Sequence, residues 1–322
     1  MKRIFSISNS IKDLIKEFES ELSFSLFLNF YGHIIEIHTN SIKLFDHFNR
    51  IYIYFVNKNN EKISLSKFYA LEENSHEFSS FFHRIFPNRN FRGNLLISEE
   101  LNLIFLISKY NNLAYTLANF MMQTLALKTS KHYLNIHAAT IIKDKTCFLF
   151  PGSQHCGKTT ISIELIKRGY KLLSDDFSII NRKTLKVLPF PRALNIREDT
   201  LPLISKFRNN LISASEFKIA GEKRWFLDLT KFCGELNVPN LIVFLQLNSK
   251  KKSKLEQYSK VRAVLDLIGL IISPYLPGLL PSDPQSNLDI IAKLINNGSV
   301  YRLTFGDIDN AIDLLLNLEV DK

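Results

Sequence analysis

The run Gly152-Ser153-Gln154-His155-Cys156-Gly157-Lys158-Thr159, followed by Thr160, is a complete G-x-x-x-x-G-K-[ST] loop. Residues of these types at this spacing can hold a nucleoside triphosphate such as ATP. Glycines let the backbone bend so that successive amide groups point inward at phosphate oxygens. Lys158 can reach the outer phosphates, and the Thr159 hydroxyl can ligate Mg²⁺. An ordinary glycine-rich turn would leave the Gly-Lys-Thr order unexplained. A second cluster, Asp175-Asp176, follows 17 residues after Lys158 (175 − 158). Adjacent residues on a strand face opposite ways. The two carboxylates therefore divide their roles unless they sit at a strand end. The economical division gives one to a metal and one to the proton of an acceptor hydroxyl.

These groups need elements to position them. An apolar run, Cys147 to Phe150, leads into the loop, and a helix-like run, Thr160 to Arg168, leads out. The helix N-terminus adds a positive partial charge, and Gly169 is a suitable C′ stop. Tyr170 to Ile180 reads as a strand interrupted by the two carboxylates. Upstream, Asn135 to Ile142 is strand-like, Lys143 to Lys145 a turn and Thr146 to Phe150 the next strand. This is a β-hairpin feeding directly into the loop. A parallel crossover would need a dozen or more residues here, so the local topology differs from that of small GTPases and most ATPases.

The series His137-Ala138-Ala139, the Pro151–Thr159 loop, Arg168-Gly169-Tyr170 and Leu173-Ser174-Asp175-Asp176 resembles the HPr kinase/phosphorylase-like family. That family is similar in its nucleotide core to phosphoenolpyruvate carboxykinase. Pro189 to Ile196, Val238 to Leu245 and Val300 to Asp307 resemble its stand-alone members, including kinases found beside ribosomal-peptide maturation genes. The likeness covers roughly residues 130–322. It implies an α/β P-loop core, a mixed sheet with helices, preceded by a small α+β domain. It implies that Lys158 and Thr159 bind phosphate and Mg²⁺, that Asp175 is the base and that Asp176 helps hold the metal. It sets His137 beside the reacting phosphate and Arg192 in the segment facing the acceptor. The Glu-x-Arg-Gly-x-Gly signature of true HPr kinases is absent. The likeness therefore extends neither to phosphorolysis nor to HPr as acceptor.

The expected activity is ATP-dependent transfer of a phosphoryl group to a hydroxyl, serine foremost, of a peptide, protein or small molecule. The alternative is a catalytically silent nucleotide-binding regulator or scaffold. The intact Lys158, Thr159, Asp175 and Asp176 favour the enzyme. Carboxykinase chemistry on an oxo-acid would need a second metal-binding His/Lys constellation, and none is evident. Other residues carry less. His155, in the variable part of the loop, reads as exposed. Cys156 reads as a small residue packed beside Gly157, or as a redox thiol, since a helix N-terminus lowers thiol pKa. Lys223-Arg224-Trp225 reads as an anion or ring contact, or as a turn with one anchoring Trp.

Composition fits a two-part chain, divided here as 1–128 and 129–322. The 322 residues are 46% hydrophobic and 12% aromatic, enough for a core, and the three cysteines make no paired framework. With no signal peptide or spanning segment evident, a cytoplasmic protein is expected, with no membrane partner. Residues 131–322 hold 27 of the 41 Lys/Arg and 19 of the 31 Asp/Glu, so that part carries most of the net +10. A basic nucleotide domain suits a polyanionic ligand. The Lys250–Lys254 run reads as a solvated loop. Without interleaved aromatics it gives no nucleic-acid platform. In the first 110 residues, Phe24 to Tyr31, His33 to His38, Arg50 to Val56, Gly93 to Ser98 and Leu101 to Ile107 are strand-like. Asn57 to Glu61 reads as a turn. Asn112 to Thr129 is apolar at helical spacing. This part carries no chemical motif and reads as acceptor recognition or homo-oligomerisation.

Overall fold

A computed structural model describes residues 2–4, 11–56, 64–73, 93–101, 103–107, 110–212, 218–219, 222–248, 252–272 and 284–320. The chain is of mixed α/β class and divides into two compact units. Unit 1 is residues 1–128 with 216–223; unit 2 is 129–215 with 224–322.

In unit 1, β1 (Lys2–Ile4), β2 (Phe24–Phe30), β3 (His33–Thr39), β4 (Ser64–Leu71), β5 (Asn94–Ser98) and β6 (Leu103–Ile107) form one sheet in the order β1-β6-β5-β4-β3-β2. Only β3 and β4 pair in parallel. Tyr31 and Gly32, both at positive φ, join β2 to β3, the two-residue turn whose twist matches a hairpin. Helix α1 (Ile11–Phe18) buries Ile11, Leu14, Ile15 and Phe18 against Tyr69, Leu95 and Ile97.

Arg50 to Val56 is not a strand. It begins in α2 (Ile42–Ile51) and ends in a 3₁₀ turn, Ile53–Phe55. The Ser41 hydroxyl caps the helix by accepting from the Leu44 amide. Leu44, Phe48, Ile51, Tyr52 and Phe55 recur at helical spacing and are buried, with Tyr52 and Phe55 against Phe30. The expected turn at 57–61 lies outside the described residues. The expected helix is present as α3 (Tyr110–Thr129).

His33 is buried in this sheet, its Nδ1 against the Ser64 hydroxyl. Burial, helped by the charge of Lys128, lowers its pKa from 6.5 to about 4. The unfolded chain takes up this proton first, so the contribution is intact above pH 6.5 and fades as pH falls towards 4. Between pH 7.5 and 4, His33 should remove about 3 kcal/mol of stability from unit 1. Urea titrations of wild type and His33→Asn should show a shallower pH slope in the variant. Parallel slopes would dismiss this account.

In unit 2 the main sheet comprises β8 (Ala138–Lys143), β9 (Thr146–Pro151), β10 (Lys171–Ser174), β18 (Leu241–Leu247), β19 (Lys254–Gln257) and β20 (Ser299–Phe305). Its order is β10-β8-β9-β18-β20-β19; the short strands β12 (Val187–Leu188), β13 (Leu194–Ile196), β14 (Leu211–Ile212), β15 (Lys218–Ile219), β16 (Glu222–Lys223) and β17 (Trp225–Leu227) belong to smaller sheets. The hairpin β8–β9 is present, with Asp144 at positive φ in its turn. β9, β18 and β20 are mutually parallel neighbours, and central strands of this kind are buried on both faces. Side chains alternate between two cores. Phe148, Phe150, Val243, Leu245 and Leu303 meet α4 (Lys158–Lys167) and α7 (Ile308–Val320). Leu149, Ile242, Phe244 and Val300 meet α5 (Lys260–Ile268) and α6 (Pro284–Asn297). Among the described residues no helix is long and apolar enough to cross a membrane.

α4 closes as expected at Gly169, which has φ of 87°. The Tyr170 amide donates to Leu165 and the Gly169 amide to Ile166, the paired bonds of a Schellman end.

Candidate functional site

The strand-like run Asn135 to Ile142 is in fact two strands. β7 (Tyr133–Ile136) pairs with β11 (Ser178–Asn181) in a second sheet, while β8 pairs with β10 in the main one. The chain therefore changes sheet at His137, and its partner changes sheet across Asp175-Asp176-Phe177. The two crossovers face each other. Ser178 ties them, its hydroxyl bonding Ala138 O at 2.9 Å, Thr140 Oγ1 at 2.8 Å and Ser174 Oγ at 2.6 Å. The carboxylate pair thus sits at a strand end, where both side chains can serve one place.

The glycine loop leaves β9 at Pro151 and enters α4 at Lys158. Gly152 donates its amide to His137 O at 3.2 Å, and His137 donates its own to Leu270 O at 2.9 Å. A Cβ on Gly157, at φ 98°, would stand 2.6 Å from the Phe305 ring, so only glycine suits that position. No side chain caps the first turn of α4, which leaves amide donors at its N-terminus for an anion.

Lys158 is 4% exposed. Its ammonium donates to Gly152 O and Ser153 O, both at 2.9 Å, and lies 3.3 Å from His137 Nε2 and 3.5 Å from Asp176 Oδ1. Asp176 Oδ1 is also 3.3 Å from His137 Nε2, and its Oδ2 is 3.4 Å from an Arg192 nitrogen. One imidazole nitrogen thus faces both Lys158 and Asp176. It accepts from the first in one tautomer and donates to the second in the other. Burial works against ionising Asp176. The His137 hydrogen bond and the charges of Arg192 and Lys158 outweigh it and hold the carboxyl far below the usual range.

Asp175 has a different environment. It is 3% exposed, and its Oδ2 accepts from the Thr159 hydroxyl at 3.2 Å. Its Oδ1 is buried with no hydrogen-bond partner. Burial, followed by the neighbouring Asp176 charge, pushes its pKa up, while Lys158, Arg192 and Thr159 pull it back. The structure therefore brings Thr159 to Asp175, and Lys158, His137 and Arg192 to Asp176. The first carboxylate of the pair thus lies beside the Thr159 hydroxyl, and the second beside the Lys158 ammonium.

The other loop residues are peripheral. Ser153 and Gln154 are exposed. His155 is exposed at φ 68° and lies against the Arg197 guanidinium. Cys156 is half-buried. Burial raises its pKa, more than Lys158 and the backbone lower it, and its sulfur would stand 2.5 Å from a Cβ on Gly152. Thr160 is half-buried in the first turn of α4. Trp225 packs against the α4 core, the anchoring reading of Lys223-Arg224-Trp225. Sequence reasoning missed the pairing of Thr159 with Asp175, because no pattern specifies which of two adjacent carboxylates turns towards α4.

No family model matches the chain, and no curated protein matches it. The likeness to HPr kinase-like proteins therefore rests on the motifs.

Proposed function

We propose that the chain is an ATP-dependent kinase that transfers the γ-phosphoryl group to a hydroxyl, with serine the foremost acceptor. The observation that carries this reading is the convergence of Lys158, His137, Asp176 and Arg192 beside the glycine loop, with Thr159 and Asp175 adjoining. Loop amides and Lys158 would hold the triphosphate. Its outer end would lie towards Gly152 and Ser153, whose carbonyls already receive the lysine.

Thr159 and Asp175 fit a Mg²⁺ ion, because the orphaned Asp175 Oδ1 is a buried carboxyl oxygen on the group that meets the Thr159 hydroxyl, and a cation there would favour its ionised form. Among the described residues no group of three His, Cys, Asp or Glu could hold a metal. Mg²⁺ suits such a sparse set, since it takes one or two protein ligands and completes its shell with phosphates and water. When bound, the ion would neutralise charge on the phosphates.

Asp176, 31% exposed at its side chain, is the carboxylate an acceptor can reach. In transfer, the acceptor oxygen bonds to the γ-phosphorus as the bridging P–O bond breaks. The electron pair of that bond leaves with ADP, and the hydroxyl proton passes to Asp176 late, once bonding to phosphorus has made the acceptor oxygen acidic enough to yield it to a carboxylate of such low basicity. Arg192 and His137 position that carboxylate.

Incubation with γ-labelled ATP, Mg²⁺ and a panel of free serine, serine peptides and cell extract tests the reading. Chelator-sensitive transfer to a hydroxyl is expected; nucleotide binding with no transfer to any acceptor would support the silent regulator instead. A second expectation concerns the metal. Asp175→Asn should raise the Mg²⁺ concentration for half-maximal activity at least about 10-fold, and Asp176→Asn should leave it nearly unchanged. Equal shifts would refute this division of the pair.

A further inference from the structure

An open pocket of about 590 Å³ adjoins the loop on the α5 face of the main sheet. Gly152 and Ser153 form its loop side, and Phe244, Leu265 and Leu270 contribute apolar walls. Gln246, Asp266 and Arg302 supply its polar groups. Phe244 and Arg302 are register partners on the neighbouring strands β18 and β20, so their side chains share one face.

The position of the pocket matters more than its size. Lys158 marks the outer-phosphate end of the loop, and its ammonium rests on the carbonyls of Gly152 and Ser153. These same two residues line the pocket. The cavity therefore adjoins the end of the loop where the γ-phosphoryl group would sit; Asp176 is not in its lining, and its Oδ1 is 3.5 Å from the Lys158 ammonium that those carbonyls hold.

Its polar groups are unequally committed. The Asp266 carboxylate accepts from the Tyr258 hydroxyl at 2.8 Å. The Arg302 guanidinium stacks 4.0 Å over the Tyr258 ring, a contact that orients it and leaves its N–H edges available. Among the described residues Arg302 makes no ion pair. Leu265, 64% exposed at the rim, is apolar surface that a bound molecule would cover.

We propose that this pocket is the acceptor subsite, and that it takes a hydroxyl compound with an apolar body and an anionic group that faces Arg302. The proposal rests on the kinase reading. At this volume it accommodates a drug-sized molecule or a peptide segment, well beyond free serine.

The probes are N-benzoyl-L-serine and N-benzoyl-L-serinamide, which share a hydroxyl and an apolar body and differ in charge. Binding to the full chain would be measured by calorimetry with a non-hydrolysable ATP analogue and Mg²⁺ present. The carboxylate should bind about 10-fold or more tightly than the amide, the worth of one charge-assisted contact. Arg302→Gln should erase that preference without changing affinity for the analogue. Leu265→Glu, at an exposed position where folding is not at risk, should weaken the carboxylate more than the amide. Equal binding of the two probes, no binding of either to analogue-loaded protein, or a preference that survives Arg302→Gln would overturn the pocket assignment alone. Failure of wild type to bind the analogue would overturn the kinase reading, and the acceptor subsite with it.

Discussion

Asp176→Asn is expected to lower phosphoryl transfer by about 10²–10⁴-fold, the usual contribution of a positioned base, while nucleotide binding survives. A hydroxyl is a poor nucleophile until its proton has an acceptor. Asp176 is the partly exposed carboxylate of the pair, and it lies 3.5 Å from the lysine that would hold the outer phosphates. Asparagine keeps the shape and can still meet Arg192 and His137, so the site should stay assembled. Because phosphoryl transfer has a loose transition state, the lower end of the range is acceptable. Single-turnover kinetics at saturating ATP separates chemistry from product release. Near wild-type transfer in Asp176→Asn, with a large loss in Asp175→Asn at saturating Mg²⁺, would restore the division that the resemblance implies.

Legibility varied with how local the physics was. The loop, α4 and the Gly169 stop were readable because glycine order, 3.6-residue periodicity and a C′ glycine act within a few residues. The hairpin was readable for the same reason. His137 reads as mid-strand because Ile136 to Ile142 contains no proline, glycine or other turn residue. The switch of sheets there is imposed by pairing with β10 and β11, some forty residues on. Arg50 to Val56 misled because its β-branched and aromatic residues favour strands. The Ser41 cap and the burial of Phe48, Tyr52 and Phe55 on one face decided for helix. The pocket was invisible in sequence, since it joins residues near 152, 245, 265 and 302 that only the sheet order brings together.

Lys158→Met should weaken ATP binding by about 10- to 100-fold, because a charged donor to phosphate is worth roughly 1.5–3 kcal/mol. Methionine replaces most of the buried alkyl stem, so little packing is lost and the change reports the ammonium. A further consequence separates a phosphate-binding lysine from a merely structural one. A structural lysine, bonded to Gly152 O and Ser153 O, would hold the loop shut, and its removal would lower the melting temperature without altering selectivity among nucleotides. Loss of the ammonium from Gly152 O, Ser153 O and Asp176 lowers the melting temperature of the free protein in either case, so the response to nucleotide is what identifies a phosphate-binding lysine. Its removal erases the stabilisation that added nucleotide gives, most for the triphosphate and least for the monophosphate. Calorimetry and thermal melts with ATP, ADP and AMP together decide between them. ATP affinity unchanged in a folded Lys158→Met protein would remove the phosphate-loop assignment, and with it the orientation that places the acceptor over Gly152 and Ser153.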